Sequence, residues 1–370
     1  MKVYSFVFLV LFGLGAKAQD ALNVSLIMPF CSKQIAENPY HSNGELGTVS
    51  REYYQGMLIA LDSLNTLGYK IKFNVFDTQN DSLLMLKLIA KPAFKESNLI
   101  IGPVLQGGNK MLTPFATAQK VYHVSPLMTF SKTKLTDDYW ISSNPDLPSF
   151  AELIYNHIVE GKDSLNIVVV SDQSSLDKSF TPGFKKIVPA SKKTKIRVVT
   201  YSPSLDINMY LSPTLNNVLI IPSAKEQLCN AVLYQVKDSL TIPHIRTIGF
   251  QQWLEFKNAD IQLWQLRNVE FATTYFVDYK DNATKVFIQK YRERFFTDPS
   301  EAAIKGYDQG LYYIGNRYKL GNDFMKQLND VPQKVLHTTY QFNKSKEGGA
   351  YQNHYLNFIR FEGDALGNNE

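Results

Sequence analysis

One pair of residues has the spacing of a catalytic nucleophile and its base. Ser175 and Lys178 form a Ser-x-x-Lys sequence, which occurs in penicillin-recognising serine enzymes, but no Lys-Thr-Gly sequence accompanies it. Asp177 lies between them, and acidic residues are typical of the first turn of a helix. The pair therefore indicates the start of a helix and not a nucleophile.

The residue types that could bind a metal or a phosphate group lack the spacing that such sites need. The six histidines are scattered, so a zinc site would require ligands from distant segments. Residues 77–81, Asp-Thr-Gln-Asn-Asp, offer oxygen ligands without the glycine and spacing of a calcium loop. Gly-x-Ser-x-Gly, phosphate-loop and dinucleotide-binding sequences are missing. We therefore expect no enzymatic activity, no metal and no other cofactor.

Polar and aromatic residues that follow predicted strands are the candidate ligand-binding residues. Ligands collect at the carboxyl ends of parallel strands, so residues from two such sheets are expected to face one crevice. Trp253 is also compatible with core packing, and Tyr275 falls where the chain is expected to cross between lobes. The candidates are Gln106, Gly107, Ser125 and Thr129 in the first half of the chain, and Asp172, Ser174, Lys225, Gln251, Trp253 and Tyr275 in the second.

The elements that must position these residues alternate between strand and helix patterns. Residues 32–48 are polar and are predicted to form a long loop, with Ser50 as the N-cap of the next helix and Gly68 just past its end. Strands that alternate with helices form parallel sheets covered on both faces. Strands are predicted at 24–29, 71–76, 98–101 and 121–124, with helices after Ser50 and over 81–92 and 110–119.

The same order of elements returns after residue 160, which predicts a second sheet of the same kind. In the tail, two alternating segments, 338–342 and 355–361, are joined through Gly348 and Gly349 and predict a hairpin. The expected fold class is α/β, with two lobes that each contain a parallel sheet between helices. Strands are predicted at 165–170, 196–199, 218–221, 245–248 and 269–273, with helices over 148–160, within 224–240 and twice between 281 and 320.

The N-terminus has the pattern of a cleavable signal peptide. A positively charged start precedes an apolar run over 3–15, shorter than the ~20 residues of a membrane-spanning helix, and an Ala-x-Ala sequence ends at Ala18. Cleavage after Ala18 would remove Lys2 and Lys17, so the formal charge of the 370-residue chain falls from +5 to +3. This nearly neutral balance predicts neither a nucleic-acid nor an anionic-membrane partner. Stable membrane insertion is not expected, because no other stretch is long and apolar enough to span a bilayer.

Two cysteines are too few for a disulfide framework. Cys31 follows the first predicted strand, and Cys229 lies in a helical segment beside Leu228 and Val232. Both are interpreted as small buried apolar side chains, and one disulfide bond between them is the alternative.

Short motifs along the chain resemble, in their order and spacing, those of a known family. The first set comprises residues 24–29, Tyr54-Gln-Gly56, Ile-Ile-Gly-Pro at 100–103, Ser125-Pro126 with Thr129, and Gly306-Tyr-Asp308. A second set comprises Ile-Pro-Ser at 221–223, Gly249 with Trp253, Phe-Val-Asp-Tyr at 276–279, and Gly348-Gly349 with Asn353. The first set resembles type I periplasmic binding proteins, with the nearest likeness to the branched-chain amino-acid-binding branch. The second set resembles substrate-binding-like proteins of the Bacteroidetes.

The resemblance implies two discontinuous lobes that are joined by three crossovers and close about a hinge. The expected boundaries are a signal peptide over 1–18, an N-terminal lobe of 19–145 and 277–335, and a C-terminal lobe of 146–276 and 336–370. The implied function is a periplasmic protein that binds a small polar molecule for an ABC transporter permease or a sensor. The alternative is a docking or regulatory module of the cell envelope, similar to peptidoglycan synthase activators, with an envelope protein as partner.

The resemblance also implies how a ligand would be held. In the family, hydroxyls and backbone amides of the first lobe typically bind a carboxylate, while an aromatic residue and an acid come from the second lobe. Thr129 matches one such hydroxyl, and the hydroxyl expected near Gly107 is absent. An amino-acid ligand requires Asp172 or Glu226 to point into the cleft, because a buried ammonium without a partner is costly. If neither acid does, an anionic or neutral polar solute is expected, or no solute at all.

Overall fold

The structure is a computed structural model that describes residues 21–104, 106–127, 138–161, 164–188, 194–237, 245–344 and 349–368. The predicted signal peptide, Thr129 and Gly348 lie outside the described residues. For Gln106, the structure describes the backbone alone.

Strands and helices alternate along the first part of the chain, as the hydrophobic pattern predicts. All three residues of the third strand are buried, which is typical of a parallel strand covered on both faces. The short fifth strand was not predicted from the sequence. The elements are β1 (Leu22–Met28), α1 (Ser32–Glu37), α2 (Gly44–Thr66), β2 (Ile71–Asp77), α3 (Ser82–Ile89), α4 (Pro92–Lys95), β3 (Leu99–Ile101), α5 (Gln106–Gln119), β4 (Tyr122–Ser125) and β5 (Trp140–Ser142).

The middle of the chain repeats this alternation around an apolar central strand. The first strand of this part is buried at every position, the polar Asn166 and Ser171 included, and its consecutive apolar residues at 167–170 predict such burial. Short 3-10 helices occupy Ile207–Tyr210 and Gln251–Glu255. The elements are α6 (Leu147–Val159), β6 (Leu165–Ser171), α7 (Ser175–Ile187), β7 (Thr194–Thr200), β8 (Asn216–Ile220), α8 (Glu226–Gln235), β9 (Ile245–Phe250), α9 (Ile261–Leu266) and β10 (Val269–Thr273).

The last part of the chain begins with long helices and ends in short strands. A π-helical turn, Gly310–Ile314, connects two of the helices without a break. In the described ranges, no helix is long and apolar enough to cross a membrane. The elements are α10 (Asn282–Phe295), α11 (Glu301–Gln309), α12 (Gly315–Leu320), α13 (Phe324–Gln327), β11 (Gln333–Lys334), β12 (Thr339–Tyr340), β13 (Phe342–Lys344), β14 (Tyr351–Asn353), β15 (Asn357–Glu362) and β16 (Ala365–Asn368).

Within the described residues, the strands form two seven-stranded sheets and one small ribbon of β11 and β12. The first sheet has the order β13-β14-β5-β4-β3-β1-β2, and the second has the order β16-β15-β10-β9-β8-β6-β7. The strands from β1 to β5 pair in parallel, as do those from β6 to β10. The strand order reverses between β1 and β3 and again between β6 and β8. These are the topological switch points, beside which open α/β sheets bind ligands.

The C-terminal strands are divided between the two sheets, which corrects the prediction for the tail. The predicted hairpin between 338–342 and 355–361 is wrong, because β13 pairs with β14 in the first sheet and β15 pairs with β10 and β16 in the second. The sequence prediction assigned all of 336–370 to the C-terminal lobe, whereas β13 and β14 belong to the first sheet. An alternating pattern fits the edge of either sheet, so it did not reveal the partner of each strand.

Two glycines bring the backbones of α2 and α11 into contact. A Cβ atom on Gly306 would lie 2.0 Å from the carbonyl oxygen of Tyr53, and one on Gly56 would lie 1.8 Å from that of Ala303. This contact, together with that between α10 and α2, packs the late helices against the first sheet's long helix α2. Gly306 is therefore a helix-packing residue.

The predicted loop over 32–48 is wrong, because α1 and the first turn of α2 lie within it. Ser50 is inside α2 and not at its N-cap. Its Oγ donates to the carbonyl oxygens of Leu46, at 2.9 Å, and Pro29, at 3.1 Å. Inside a helix, a serine hydroxyl can donate a hydrogen bond to the carbonyl oxygen four residues earlier, and at a helix start it can cap a backbone N–H group. The residue type therefore did not distinguish a helix interior from an N-cap.

Both cysteines are buried and free, which confirms the interpretation as apolar side chains. Cys31 follows β1 in the first lobe, and Cys229 lies in α8 of the second. Burial raises the pKa of the Cys229 thiol to about 12. This thiol is therefore protonated and unreactive at neutral pH.

Candidate functional site

A pocket of about 170 Å³ lies at the switch point of the first sheet. Pro29 follows β1, Thr78 follows β2 and Pro103 follows β3, so three neighbouring strand ends contribute its walls. Met85 of α3 and Met111 of α5 line its helical side. The volume is well above the ~10–15 Å³ that one water needs. We refer to this space as the switch-point pocket.

The rim of the switch-point pocket is polar. Asp81 is the one charged residue among its described lining residues. Its carboxylate accepts the backbone N–H groups of Leu83, at 2.7 Å, and Leu84, at 3.2 Å, so it caps the N-terminus of α3. Asn80 and Ser82, its neighbours in the chain, also line the pocket. The pocket therefore offers a ligand apolar walls and amide and hydroxyl groups. The one charge among its described lining residues, the Asp81 carboxylate, already caps α3.

Gly107 is the candidate residue that lines this pocket. A Cβ atom on Gly107 would meet no described atom within 4 Å, whereas one on Gly108 would lie 2.8 Å from Cγ of Pro103. Gly108 thus permits close packing of α5 against the loop after β3. Gly107 leaves open the space beside the pocket.

Ser125 ends β4 and is buried, so its side chain belongs to the interior of the lobe. Its Oγ accepts a hydrogen bond of 3.3 Å from the amide of Asn109, which also donates to the carbonyl oxygen of Pro103 at 3.2 Å. Asn109 therefore connects the loops after β3 and β4. Sequence analysis missed Asn109, because a single amide in a helix carries no signal of its burial.

At the switch point of the second sheet, Asp172 joins the loops after β6 and β8. Its carboxylate accepts hydrogen bonds from Ser223 Oγ, at 2.7 Å, and from the backbone N–H of Ser174, at 2.8 Å. Lys225 Nζ lies 3.4 Å from the carboxylate. The Asp172 side chain is fully buried, whereas that of Lys225 is 59% exposed. The structure thus brings together three of the predicted site residues, Asp172, Ser174 and Lys225.

The electrostatic environment keeps Asp172 ionised. Burial by itself would raise its pKa, but the hydrogen bonds from Ser174 and Ser223 and the charge of Lys225 outweigh burial. The pKa of the Asp172 carboxyl is therefore lowered from its ordinary value.

The second acid at this edge, Glu226, is also engaged. Its carboxylate accepts the backbone N–H groups of Asn258, at 2.5 Å, and Lys257, at 3.3 Å. Asp172 and Glu226 were the two acids that the sequence offered for a ligand ammonium. Both instead bind groups of the protein.

Replacing Asp172 by asparagine is expected to reduce stability by about 1 kcal/mol at neutral pH, because a charge-assisted hydrogen bond becomes a neutral one. Since the folded pKa is lowered, this extra stability of the wild type is present above the ordinary carboxyl pKa of about 4 and disappears as pH falls through the folded value. Urea midpoints of both proteins between pH 7 and pH 3 measure the difference. Asp364→Asn, at an exposed turn, is the control. A difference that persists at low pH would contradict this role of Asp172.

The burial of Trp253 contradicts its assignment to the wall of a cleft. Its side chain is fully buried, stacks on Phe256 with ring centroids 5.8 Å apart, and donates from Nε1 to the carbonyl oxygen of Ser223 at 2.8 Å. The core interpretation of Trp253 is therefore confirmed. Trp253 holds the Ser223 backbone from the core side, while Asp172 holds the Ser223 hydroxyl.

Two other candidates of the second sheet have local structural roles. Ser174 is the N-cap of α7, where its Oγ accepts the backbone N–H of Asp177 at 3.4 Å, which confirms the helix start predicted there. Gln251 follows β9, and its Oε1 accepts from the hydroxyls of Thr273 and Thr274, both at 3.4 Å. Of these two residues, Gln251 is the exposed one, so its side chain is accessible to a ligand at the end of β9.

Tyr275 lies where the chain leaves the second sheet. The ring centroid of Tyr275 lies 5.6 Å from that of His337. Lys305 Nζ lies 5.3 Å from the Tyr275 ring centroid. Burial raises the pKa of the Tyr275 hydroxyl above its ordinary value. These contacts place Tyr275 in the hinge, where it packs segments of both lobes.

The chemistry that these groups can perform is recognition. Among the described residues, no group of three or more His, Cys, Asp or Glu side chains is arranged to hold a metal ion. Ser175 begins α7 and lies beside its N-cap, as a helix start requires. Hydroxyls, amides, one exposed ammonium and an apolar pocket can bind a small molecule through hydrogen bonds and burial.

Comparison with known proteins identifies the fold. No protein-family model and no curated protein matches the sequence. A structure described as a branched-chain amino acid ABC transporter from Rhodospirillum rubrum is similar at 12% identity, with a TM-score of 0.66 and coverage of 94% of this chain and 99% of that one. An ABC transporter substrate-binding protein from Desulfitobacterium hafniense, in complex with Leu, is similar at 12% identity, with a TM-score of 0.55 and coverage of 94% and 100%.

LpoA from Haemophilus influenzae is also similar, at 14% identity and a TM-score of 0.60. The likeness covers 95% of this chain and 59% of LpoA. These identities are low, and the shared feature is the arrangement of two sheets with helices on both faces. The chain therefore has the two-lobed fold of type I periplasmic binding proteins.

Proposed function

We propose that the protein is an exported solute-binding protein that closes its two lobes on a small polar molecule and presents it to an ABC transporter permease or a sensor. The observation that carries this proposal is the switch-point pocket, which lies at the carboxyl ends of β1, β2 and β3. A pocket at this position of an α/β sheet is the usual location of a ligand. The similar proteins from R. rubrum and D. hafniense are both described as ABC transporter components, which supports the same role here.

The ligand that fits the described groups has a compact apolar part and no ammonium. The two methionines and two prolines of the switch-point pocket provide adaptable apolar walls. Asp81 on its rim caps α3, and Asp172 and Glu226, the acids that the sequence offered for an ammonium, also accept hydrogen bonds from protein groups. An unpaired ammonium in a closed cleft would be costly. We therefore propose a neutral or anionic solute.

The remaining parts of the proposal concern export and architecture. The pattern of residues 1–18 supports cleavage of a signal peptide and delivery to the periplasm. The motifs at 221–223 and 276–279 support a place among substrate-binding-like proteins of the Bacteroidetes. For the lobes, we propose 19–145 with 277–335 and with β13 and β14 as the N-terminal lobe, and 146–276 with β15 and β16 as the C-terminal lobe.

Replacing Gly107 by leucine is expected to abolish ligand binding without unfolding the protein. The new side chain would extend into the open space beside the switch-point pocket, where a Cβ atom meets no described atom within 4 Å. Because leucine favours a helix more than glycine does, the free protein should gain about 0.5–1 kcal/mol of stability. A thermal-shift screen with organic acids, sugars, amino acids and muropeptides identifies the ligand class, since binding raises the melting temperature with concentration.

The matched control is Gly107→Ala, which adds one methyl group at the same position and should retain binding. A ligand that stabilises Gly107→Leu as much as the wild type would exclude the switch-point pocket as its site. A response to leucine, isoleucine or valine would contradict the proposal that the ligand lacks an ammonium.

The alternative function is a docking module of the cell envelope, and the likeness to LpoA over 95% of this chain is the observation that favours it. The same screen separates the two functions. If no solute class raises the melting temperature, solute binding is wrong and an envelope protein becomes the expected partner.

A further inference from the structure

Helices α3, α4 and α5 form one layer on the first sheet. Met85 of α3, Phe94 of α4 and Leu112 of α5 pack into the same buried cluster as Ile27 of β1 and Phe76 of β2. Helix α3 contacts both α4 and α5. Because the three helices cover the same side of the sheet, their outward sides form one surface. We refer to the exposed side of this layer as the α3–α5 face.

Helix α3 exposes leucine side chains on the α3–α5 face. Leu83 is 70% exposed and Leu86 is 50% exposed. Leu86 and Lys87 follow Leu83 at spacings of three and four, so all three residues lie on the same side of the helix. Met85 and Leu88 are buried on the opposite side. A surface helix normally has polar residues on its outward side, whereas α3 has a second apolar stripe there.

The α3–α5 face is positively charged. From 78 to 121 the chain has five lysines and two acids, Asp81 and Glu96, an excess of three positive charges. Asp81 caps α3, and Glu96 pairs with Lys72 of β2, with N and O atoms 3.3 Å apart. All five lysines are exposed, and none forms an ion pair with a described residue; they are Lys87, Lys91, Lys95, Lys110 and Lys120.

The composition of the α3–α5 face suits a lipid surface better than a protein partner. Protein interfaces are enriched in arginine and aromatic residues and depleted in lysine, but 78–121 contains no arginine, tryptophan or tyrosine. Lysines that flank exposed leucines are instead typical of surfaces that lie on an anionic bilayer. A bilayer also accepts protruding leucine side chains without offering a shaped pocket.

We infer that the α3–α5 face binds reversibly to the surface of a bilayer that contains anionic phospholipid. Leu83 and Leu86 enter the boundary between headgroups and acyl chains, and the lysines of this face contact lipid phosphates. The net charge of the chain does not predict this partner, because the positive excess is concentrated on one face. Binding requires no helix that crosses the membrane.

The membrane contact would hold the solute site close to the bilayer. Ser82 and Met85 of α3 line the switch-point pocket, while Leu83 and Leu86 of the same helix face outward. A protein bound through α3 would therefore present its pocket beside a membrane-embedded partner. This consequence rests on the proposed function, whereas the membrane contact itself does not.

Co-sedimentation of the whole protein with vesicles of phosphatidylglycerol and phosphatidylcholine in equal parts tests this surface. Vesicles of phosphatidylcholine alone are the neutral arm. We expect binding to the anionic vesicles only, and we expect a rise from about 0.05 M to about 0.5 M sodium chloride to abolish it, because salt screens exposed charges.

Two variants divide the contributions to vesicle binding. Lys87→Gln/Lys91→Gln/Lys95→Gln should weaken binding by more than about tenfold, since each lysine near an anionic surface contributes about a factor of five. Leu83→Gln/Leu86→Gln should weaken it by about tenfold, since it removes the apolar side chains but keeps good helix formers. Circular dichroism verifies that both variants are folded.

The matched control is Lys178→Gln/Lys185→Gln/Lys186→Gln, which removes three exposed charges from α7 of the second lobe and should bind as the wild type does. Equal losses in the two lysine variants, or equal binding to neutral and anionic vesicles, would overturn the assignment. Absence of vesicle binding by the wild type would overturn it too and would make an acidic protein the expected partner. Gly107→Leu should retain vesicle binding, so a failure of the proposed solute site leaves these results unchanged.

Discussion

Replacing Gly306 by alanine is expected to lower the free energy of unfolding by about 3 kcal/mol, the upper end of the usual cost of overpacking. The added Cβ would lie 2.0 Å from the carbonyl oxygen of Tyr53. A backbone oxygen cannot rotate away as a side chain can, so α2 and α11 must separate. Their separation would disturb the core around Met57 and Tyr53, which are both fully buried. Urea unfolding followed by circular dichroism measures the change.

Gly315→Ala is the matched control for this substitution, because Gly315 lies further along the same run of helices. A Cβ there would lie 3.4 Å from Cδ2 of Leu64, close to an ordinary van der Waals contact. Alanine favours a helix over glycine by about 1 kcal/mol, so the control should be as stable as the wild type or more stable. If both variants behave alike, close contact between the helix backbones does not explain the glycine at 306.

Replacing Asp308 by alanine is expected to reduce stability by about 3 kcal/mol, because removing one partner of a buried pair leaves the other without its acceptor. The Asp308 carboxylate accepts the backbone N–H of His337 at 3.0 Å and contacts its Nδ1 at 2.5 Å, with both side chains 2% exposed. An ionised carboxylate at this position requires a proton on Nδ1. Asp308 lies in α11, and the carbonyl oxygen of His337 accepts hydrogen bonds from the segment after β10 and from β15, so the loss also loosens the hinge.

Asp308→Asn and Glu37→Ala separate the sources of this loss. Asparagine keeps an acceptor for the backbone N–H of His337 and should therefore cost less than alanine. Glu37 forms an exposed ion pair with Lys33, with N and O atoms 3.9 Å apart, and its loss should change stability by less than about 0.5 kcal/mol. Urea midpoints at pH 7 provide the comparison. A loss in Asp308→Ala no larger than in Glu37→Ala would show that the buried pair contributes little.

Local patterns in the sequence were sufficient for most of the fold. The apolar run of β6 predicts a buried central strand, and the periodicity after Ser300 predicts the helix that packs on α2. The pattern failed where two environments require the same residue types. Strands β13 and β15 alternate equally well, although they join different sheets. A serine such as Ser50 fits both an N-cap and a helix interior. Its hydrogen bonds to the carbonyl oxygens of Leu46 and Pro29 show that it lies in the interior of α2.

The candidate site also contains residues that the sequence predicted and residues that it misassigned or missed. The rule that ligands bind beyond strand ends selected Gly107, Asp172 and Lys225, which lie at the two switch points. The same rule selected Trp253, whose ring turns into the core. It missed Asn109, because the burial of a single amide leaves no trace in one sequence.

The sequence by itself determined most of the strands and helices and the order in which they follow one another, because hydrophobic period, caps and turn residues act between near neighbours. It also determined that the chain lacks the motifs of common catalytic and metal sites. Only the tertiary structure decided that Asp172 and Glu226 accept hydrogen bonds from other protein groups, and that β13 and β15 join different sheets. Each of these facts depends on residues that are distant in the chain. Their contacts are set by how the sheets and helices pack, which local spacing does not specify.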